Sequence, residues 1–180
     1  MSVAGCGLGG TTKTVTVTRT RTRTVTTTVT RTVTTTTSTA ASACTGAQLS
    51  GTFAEAPGGG GAGQIEYVLT LTNTSSTSCT VSGLPVAVLL DASKAPLPTK
   101  VTGKAISPLV SLAAGSSAQA TARFSPDVPG TGDSQSGTCQ PKAHFLRVTP
   151  NGGGTVDAPV KPPTSVCERG TLNFTVYAGS

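Results

Sequence analysis

The chain has few aromatic residues, few charges and little of what catalysis needs. It has no Trp, two Tyr and four Phe, and charged residues make up 11% of its 180 residues. His144 is its single His, so nucleophilic catalysis has only one imidazole to serve as a base. We therefore expect a thin, aliphatic core, no enzyme activity, no cofactor and no metal ion.

Long apolar runs and a basic domain face are also missing. No stretch approaches the roughly 20 apolar residues of a membrane-spanning helix. The net charge is +6, but five positive charges lie in the N-terminal quarter, at Lys13, Arg19, Arg21, Arg23 and Arg31. Residues 44–180 carry eight basic and seven acidic groups and are nearly neutral. We expect no nucleic-acid partner, because such binding requires a basic face.

What is abundant is threonine, which fills eighteen of the twenty-nine residues from Thr11 to Thr39. This monotonous Thr/Val/Arg tract has too little large apolar surface to offset the entropy of ordering it. It predicts a disordered linker over 11–43, behind an N-terminal segment 1–10 and ahead of a folded domain 44–180. Exposed hydroxyls at this density are typical O-glycosylation sites, for which the candidates are Thr26, Thr27, Thr28, Thr34, Thr35, Thr36 and Thr37.

Cys6 closes the tetrad Val3-Ala4-Gly5-Cys6, the pattern of a bacterial lipoprotein cleavage site. In such sites the cysteine sulfur takes a diacylglycerol and the cysteine becomes the mature N-terminus. Only five residues precede Cys6, fewer than the apolar region of about 7 to 15 residues in a secretory signal. We expect the signal to begin upstream of Met1; the alternative is that the tetrad is a coincidence.

Four further cysteines, Cys44, Cys79, Cys139 and Cys167, are spread through the predicted domain. Their separations are too wide for a zinc knuckle, so disulfides in an oxidising compartment are the natural interpretation. Each would stabilise the domain by roughly 2 to 4 kcal/mol. Three pairings are open, and we favour the nested one, Cys44 with Cys167 and Cys79 with Cys139. The alternative is four buried free thiols.

Alternating apolar residues predict about seven short strands separated by Gly/Pro clusters. The clearest is Gln64–Asn73. The others are expected near 47–53, 79–82, 86–90, 118–124, 143–149 and 172–177. Because helix signals are nearly missing, this pattern predicts an all-β fold, an antiparallel immunoglobulin-like β-sandwich.

The domain resembles the secreted actinobacterial domain-of-unknown-function family numbered 4232 over about residues 44–178. The matching landmarks are Leu71-Thr72-Asn73-Thr74-Ser75, Cys79-Thr80-Val81, Gly83-Leu84-Pro85, Val88–Asp91, Leu112–Ala118, Cys139-Gln140-Pro141 and Cys167. Ala114 stands where the family usually has proline, and Val86 where glycine often follows the turn. The resemblance implies a β-sandwich on an exported protein or lipoprotein, and it implies no activity and no catalytic residues.

Candidate catalytic and metal-binding residues are few. His144 lies in a predicted strand, which favours a surface role. The acidic residues show no spacing that would bring a catalytic pair together. Asp127 and Asp133 share one Pro/Gly loop but lack the calcium-loop pattern, so they are a weak cation site.

These features favour a cell-envelope lipoprotein, anchored by Cys6 at the outer face of the cytoplasmic membrane. Its domain would bind a cell-wall polymer, a small ligand or an envelope protein. Two alternatives are an unrecognised extracellular hydrolase and a threonine-array protein that binds ice or another surface.

Overall fold

The computed structural model describes two compact units, 1–40 and 41–180. The residues described are 12–17, 29–34, 41–104, 108–135 and 138–180. Within these ranges no helix is long and apolar enough to cross a membrane.

The first unit contains two antiparallel strands, β1 (Thr12–Val17) and β2 (Val29–Thr34). Their register places threonine opposite threonine at three positions, beginning with Thr12 and Thr34. Both strands lie inside the segment 11–43, which is predicted to be a disordered linker. Much of that segment lies outside the described residues, so the linker stays a prediction.

Nearly all the regular elements of the second unit are strands, which confirms the predicted all-β fold. A 3-10 turn, Gly46–Gln48, precedes the first of these strands, and a four-residue turn, Cys167–Gly170, lies near the end of the unit. The strands are β3 (Leu49–Gly61), β4 (Gln64–Asn73), β5 (Cys79–Ser82), β6 (Val86–Leu90), β7 (Lys100–Thr102), β8 (Leu109–Leu112), β9 (Ser117–Phe124), β10 (Ala143–Thr149), β11 (Val156–Thr164), β12 (Thr171–Phe174) and β13 (Ala178–Gly179).

Most of these strands join one mixed sheet. Its order is β6–β10–β11–β3–β4–β9–β12–β7, with β13 paired to β9, while β5 and β8 form a separate two-stranded sheet. The pairs β11–β3 and β12–β7 are parallel. Because β6 and β7 stand at the two ends of this order and contact each other, the sheet is nearly closed. The predicted antiparallel immunoglobulin-like sandwich is therefore only an approximate description.

The middle of the sheet pairs large side chains with small ones. On β4 the inward residues Tyr67, Leu69 and Leu71 are fully buried. Each lies opposite an alanine of β9, in the pairs Tyr67–Ala122, Leu69–Ala120 and Leu71–Ala118. Alternating large and small residues let the two strands share one core face without voids, which stabilises this register.

Four of the six aromatic residues cluster in the core. The rings of Phe53, Tyr67, Phe124 and Phe174 contact one another with centroids 5.2 to 6.4 Å apart. The Tyr67 hydroxyl donates a hydrogen bond to the carbonyl of Pro162 at 2.8 Å, so its polar end is satisfied. Burial raises the pKa of Tyr67 to about 12. The scarce aromatics thus hold one end of an otherwise aliphatic core.

Candidate functional site

The predicted modification sites of the N-terminal unit fall almost wholly outside the described residues. Cys6, the predicted lipidation site, lies there, as do six of the seven threonines proposed for O-glycosylation. The seventh, Thr34, is the last residue of β2. Lipidation and O-glycosylation therefore stay predictions.

The four cysteines of the second unit form two disulfides, but the favoured nested pairing is wrong. Cys44 is bonded to Cys79 at an S–S distance of 2.06 Å, and Cys139 is bonded to Cys167 at 2.10 Å. These bonds join residues 35 and 28 apart. All four cysteines are buried. The cysteines therefore pair in sequence order.

Backbone pairing beside β5 explains the first bond. The N–H of Cys44 donates to the carbonyl of Thr80 at 2.8 Å, and the N–H of Thr80 donates to the carbonyl of Ser42 at 2.9 Å. Residues 42–44 therefore run alongside the start of β5. This places Cys44 next to Cys79 and away from Cys167.

Buried hydrogen bonds around the second bond join the loop after β9 to the segment before β12. The Ser165 hydroxyl donates to the carbonyl of Gln140 at 2.9 Å, and Gln140 Nε2 donates to the carbonyl of Val166. The N–H of Cys167 donates to the carbonyl of Ser125 at 2.8 Å. Cys139 thus meets Cys167 and not Cys79.

Asp133, one of the two residues of the weak cation site, uses its carboxylate to accept hydrogen bonds from the protein backbone. Its carboxylate accepts the N–H groups of Gly130 at 2.8 Å, Arg169 at 2.8 Å and Glu168 at 2.5 Å. These bonds, that of Gly130 first, lower the pKa of Asp133 below its usual range. The carboxylate therefore acts as a clamp between its own loop and the Cys167–Gly170 turn.

The same carboxylate lies within 4.8 Å of the sulfurs of Cys139 and Cys167. Three such groups at this distance have the spacing of metal ligands. Cysteine binds a metal ion as a thiolate, however, and the sulfurs of Cys139 and Cys167 are bonded to each other in a disulfide. The cluster is therefore a structural junction and not a metal-binding set.

Several carboxylates among the hydrolase candidates are held in hydrogen bonds and ion pairs. The pKa of Asp91 is lowered first by the hydrogen bond from the Ser93 side chain and least by the charge of His144, so these three residues lie near one another. The carboxylate of Asp91 accepts the N–H and the hydroxyl of Ser93 and the N–H of Ala95. The carboxylate of Asp157 is paired with two cations. Asp91, Ser93 and His144 are therefore neighbours, but the Ser93 hydroxyl donates to Asp91, and among the described residues no hydrogen bond connects it to His144.

A feature without a clear sequence signal is the backbone of the Cys167–Gly170 turn. Glu168 and Arg169 have left-handed φ values of 54° and 57°. Holding a residue with a Cβ in that conformation costs about 1 to 3 kcal/mol and requires surrounding contacts. The Asp133 clamp supplies two of them, and the Thr171 hydroxyl donates to the carbonyl of Glu168 at 2.6 Å. The turn is thus fixed from several sides.

Two glycines of the Asp133 loop pack against the side chains of this turn. A Cβ added to Gly130 would lie 2.7 Å from Cγ of Glu168. A Cβ added to Gly132 would lie 3.1 Å from Cδ of Arg169. The stems of both charged side chains therefore lie against bare backbone, which limits the directions their charged ends can take.

An open groove of about 520 Å³ lies beside the turn, and we call it the Arg169 groove. Its lining includes Thr99, Lys100, Thr131, Glu168, Arg169 and Thr171. Lys100 begins β7, and its Cα is paired with that of Thr171 on β12. The volume lies within the range of small-ligand sites, and the lining combines charged and polar groups with apolar surface.

The second unit is therefore an all-β domain that is held by two disulfides. Residues 44–178 match the family described as Domain of unknown function (DUF4232), and the chain belongs to this family. This confirms the resemblance seen in the sequence. No curated protein and no solved structure matches the chain.

Proposed function

We propose that the chain is a cell-envelope lipoprotein that displays a non-enzymatic binding domain at the outer face of the cytoplasmic membrane. The observation that carries this proposal is the pair of buried disulfides, which uses all four cysteines of the second unit. Structural disulfides persist in oxidising compartments, and cytosolic thiols are kept reduced. The disulfides therefore support an extracytoplasmic location.

Anchoring would come from Cys6. A diacylglycerol on its sulfur supplies two acyl chains, and two hydrophobic signals are what stable membrane attachment requires. The threonine-rich segment between Cys6 and the domain would act as a spacer. O-linked sugar on its hydroxyls would stiffen this spacer and shield it from proteases.

A binding role, and not catalysis, is supported by how the acidic residues are used. Asp91, Asp133 and Asp157 each hold hydrogen bonds or ion pairs that fix the local structure. Nothing in the described structure favours the hydrolase alternative. The Arg169 groove is a polar feature with the dimensions of a ligand site.

Mass spectrometry and cell fractionation of the native gene product test the anchoring. We expect the protein in the membrane fraction, with a mature N-terminus at an acylated Cys6. The Cys6→Ser variant should leave the membrane fraction, whereas Ser2→Ala, a matched change outside the predicted mature chain, should not. A native protein that retains an unmodified Met1 or Ser2 overturns the lipoprotein proposal.

A further inference from the structure

The Arg169 groove contains two positive charges without an ion-pair partner. Among residues 41–104, 108–135 and 138–180, neither Lys100 nor Arg169 lies within ion-pair distance of a carboxylate. By contrast, Lys94 and Arg147 bond to Asp157 at 3.0 and 2.7 Å. The two cations outnumber the one carboxylate of the described lining, Glu168, and a net positive charge in a concave surface raises the local concentration of anions.

The Asp133 carboxylate beside Arg169 is already engaged in hydrogen bonds. Asp133 attracts Arg169, but its two oxygens accept the N–H groups of Gly130, Glu168 and Arg169 itself. A ligand in the groove would therefore meet a guanidinium whose side-chain donors make no hydrogen bond to the described residues. Arginine presents several such donors in a plane, which suits phosphate and carboxylate oxygens.

The backbone orients the side chains of Glu168 and Arg169 in the absence of a ligand. Left-handed φ values at Glu168 and Arg169 set the direction of both side chains, and the bare backbone of Gly130 and Gly132 lies against their stems. Groups that are already ordered lose less entropy on binding than free surface side chains do. The left-handed turn thus puts the opposite charges of Glu168 and Arg169 into the lining of one groove.

We infer that the Arg169 groove binds an oxyanion, phosphate or carboxylate, that is carried on a hydroxylated chain. Lys100 and Arg169 contact the oxyanion. The Glu168 carboxylate accepts hydrogen bonds from neighbouring hydroxyl groups of the ligand and repels ions that carry charge alone. The inference deepens the proposed binding role, on which it rests, by naming the chemistry of the ligand.

The lining also argues against nucleic acid as the source of the phosphate. Among the described residues that line the Arg169 groove, none is aromatic. Single-stranded nucleic acids bind through base stacking on aromatic rings combined with a positively charged groove. A lining with one carboxylate and two cations instead suits a ligand with alternating hydroxyl groups and single negative charges.

Titration of the purified full chain carrying Cys6→Ser tests the inference. The probes are a glycerol-phosphate oligomer, a glucuronate oligomer and inorganic phosphate, each followed by calorimetry and by amide chemical shifts. We expect at least one oligomer to bind, more tightly than phosphate, with shifts at residues 99–100, 131 and 168–171. The preferred oligomer identifies phosphate or carboxylate as the anion. Binding should weaken as salt is added.

Charge variants separate the groove from general surface attraction. Lys100→Ala and Arg169→Asn should each raise the dissociation constant about tenfold, the effect of losing one charged hydrogen bond. Asparagine is chosen because it tolerates left-handed φ. Lys142→Ala and Lys161→Ala remove exposed cations outside the groove and should change the dissociation constant less than twofold. Glu168→Gln should tighten phosphate binding and so reduce the preference for the oligomer.

Two results overturn the inference. One is that neither oligomer binds, and the other is that the groove variants bind as tightly as the Lys142 and Lys161 controls. Both outcomes are independent of membrane attachment, because the titrated chain cannot be acylated. If the native protein is not found in the membrane fraction but the titration shows binding, the lipoprotein proposal is wrong and the inferred ligand binding by the Arg169 groove still stands.

Discussion

The Asp133 carboxylate accepts the backbone N–H of Arg169 at 2.8 Å, although the two residues are 36 apart in the chain. The N–H groups of Gly130, Arg169 and Glu168 together lower the pKa of Asp133. Because the folded-state pKa is depressed, the stabilisation is present above the unfolded pKa of about 3.9 and is lost as pH falls through the folded value.

The Asp133→Asn variant should therefore be less stable than the wild type at pH 6 to 7, and the difference should narrow below about pH 4. Thermal unfolding across this pH range measures it. Asp127→Asn, an exposed change in the same loop, is the control and should melt near the wild type at every pH. A difference for Asp133→Asn that is the same at pH 7 and pH 3 contradicts the clamp.

Asp157 provides a second acid-sensitive contact, an ion pair with both Lys94 and Arg147. Its carboxylate accepts Arg147 Nε at 2.7 Å and Nη2 at 3.0 Å, and Lys94 Nζ at 3.0 Å. Hydrogen bonding to Arg147 is the first cause that lowers its pKa to about 2. Its stabilisation is thus complete above about pH 4 and is lost between pH 4 and pH 2.

We expect Asp157→Asn to lose about 1 kcal/mol at neutral pH, since solvent screens part of the ion-pair energy. Denaturant unfolding gives the energy, and carbon NMR of the side chain gives the pKa directly. A measured pKa for Asp157 at or above the ordinary aspartate value would show that the Arg147 contact is absent in solution.

Both disulfides should stabilise the domain to a similar extent. Loops of 35 and 28 residues correspond to about 3 to 4 kcal/mol each in the chain-entropy model. The double variants Cys44→Ser/Cys79→Ser and Cys139→Ser/Cys167→Ser remove one bond each and leave the other intact. Cys44→Ser/Cys167→Ser should be worse than either, because it breaks both bonds. If that crossed variant were as stable as the other two, the observed pairing would be wrong.

Asn73 forms a buried hydrogen-bond centre at the end of β4. It is 0% exposed, and its Nδ2 donates to the carbonyls of Thr77 at 2.8 Å and Leu112 at 3.0 Å. Its Oδ1 accepts the N–H and the hydroxyl of Ser75. Asn73→Asp should cost about 3 kcal/mol, because it places a charge among carbonyl oxygens.

Asn173→Asp is the matched control, since Asn173 is exposed in β12, and it should change the free energy of unfolding by less than about 0.5 kcal/mol. Both asparagines belong to N-x-[ST] triplets. Equal losses for the two variants, measured by urea unfolding, would show that the Asn73 bonds do not form.

Gly152 allows the loop before β11 to lie against the segment that carries Cys44. Its N–H donates to the carbonyl of Cys44 at 2.9 Å, and an added Cβ would lie 2.5 Å from the carbonyl oxygen of Ala43. Gly152→Ala should therefore cost about 2 kcal/mol or more. Gly61→Ala adds its Cβ where no atom lies within 4 Å, and it should melt close to the wild type. Equal melting temperatures for the two variants would contradict this packing.

The sequence predicts the strands whose apolar residues alternate without interruption. The bounds of β4, β5, β6 and β10 agree with the predicted ranges, because a Gly or Pro adjoins one end of each strand and burial alternates clearly along β4. β11 was missed because Pro159, Pro162 and Pro163 argue against a strand, although Val156, Ala158 and Val160 alternate inward. The short strands β7, β8 and β13 carry too few residues for a period to show.

Long-range features had no local signal. The disulfide pairing depends on residues 42–44 pairing with β5, which joins parts of the chain that no pattern connects. The Arg169 groove combines β7, the Asp133 loop and the Cys167–Gly170 turn. Glu and Arg rarely adopt left-handed backbone, so the sequence does not predict it at Glu168 and Arg169. The local signal for close packing in this region is the pair of glycines Gly130 and Gly132.

The most direct test of the central proposal is the redox state of the cysteines in the native protein. Cells are lysed in acid, free thiols are alkylated, and the peptides are analysed without reduction. We predict unalkylated Cys44, Cys79, Cys139 and Cys167, with linked peptides joining Cys44 to Cys79 and Cys139 to Cys167. Alkylation of these four cysteines would contradict an extracytoplasmic domain held by disulfides.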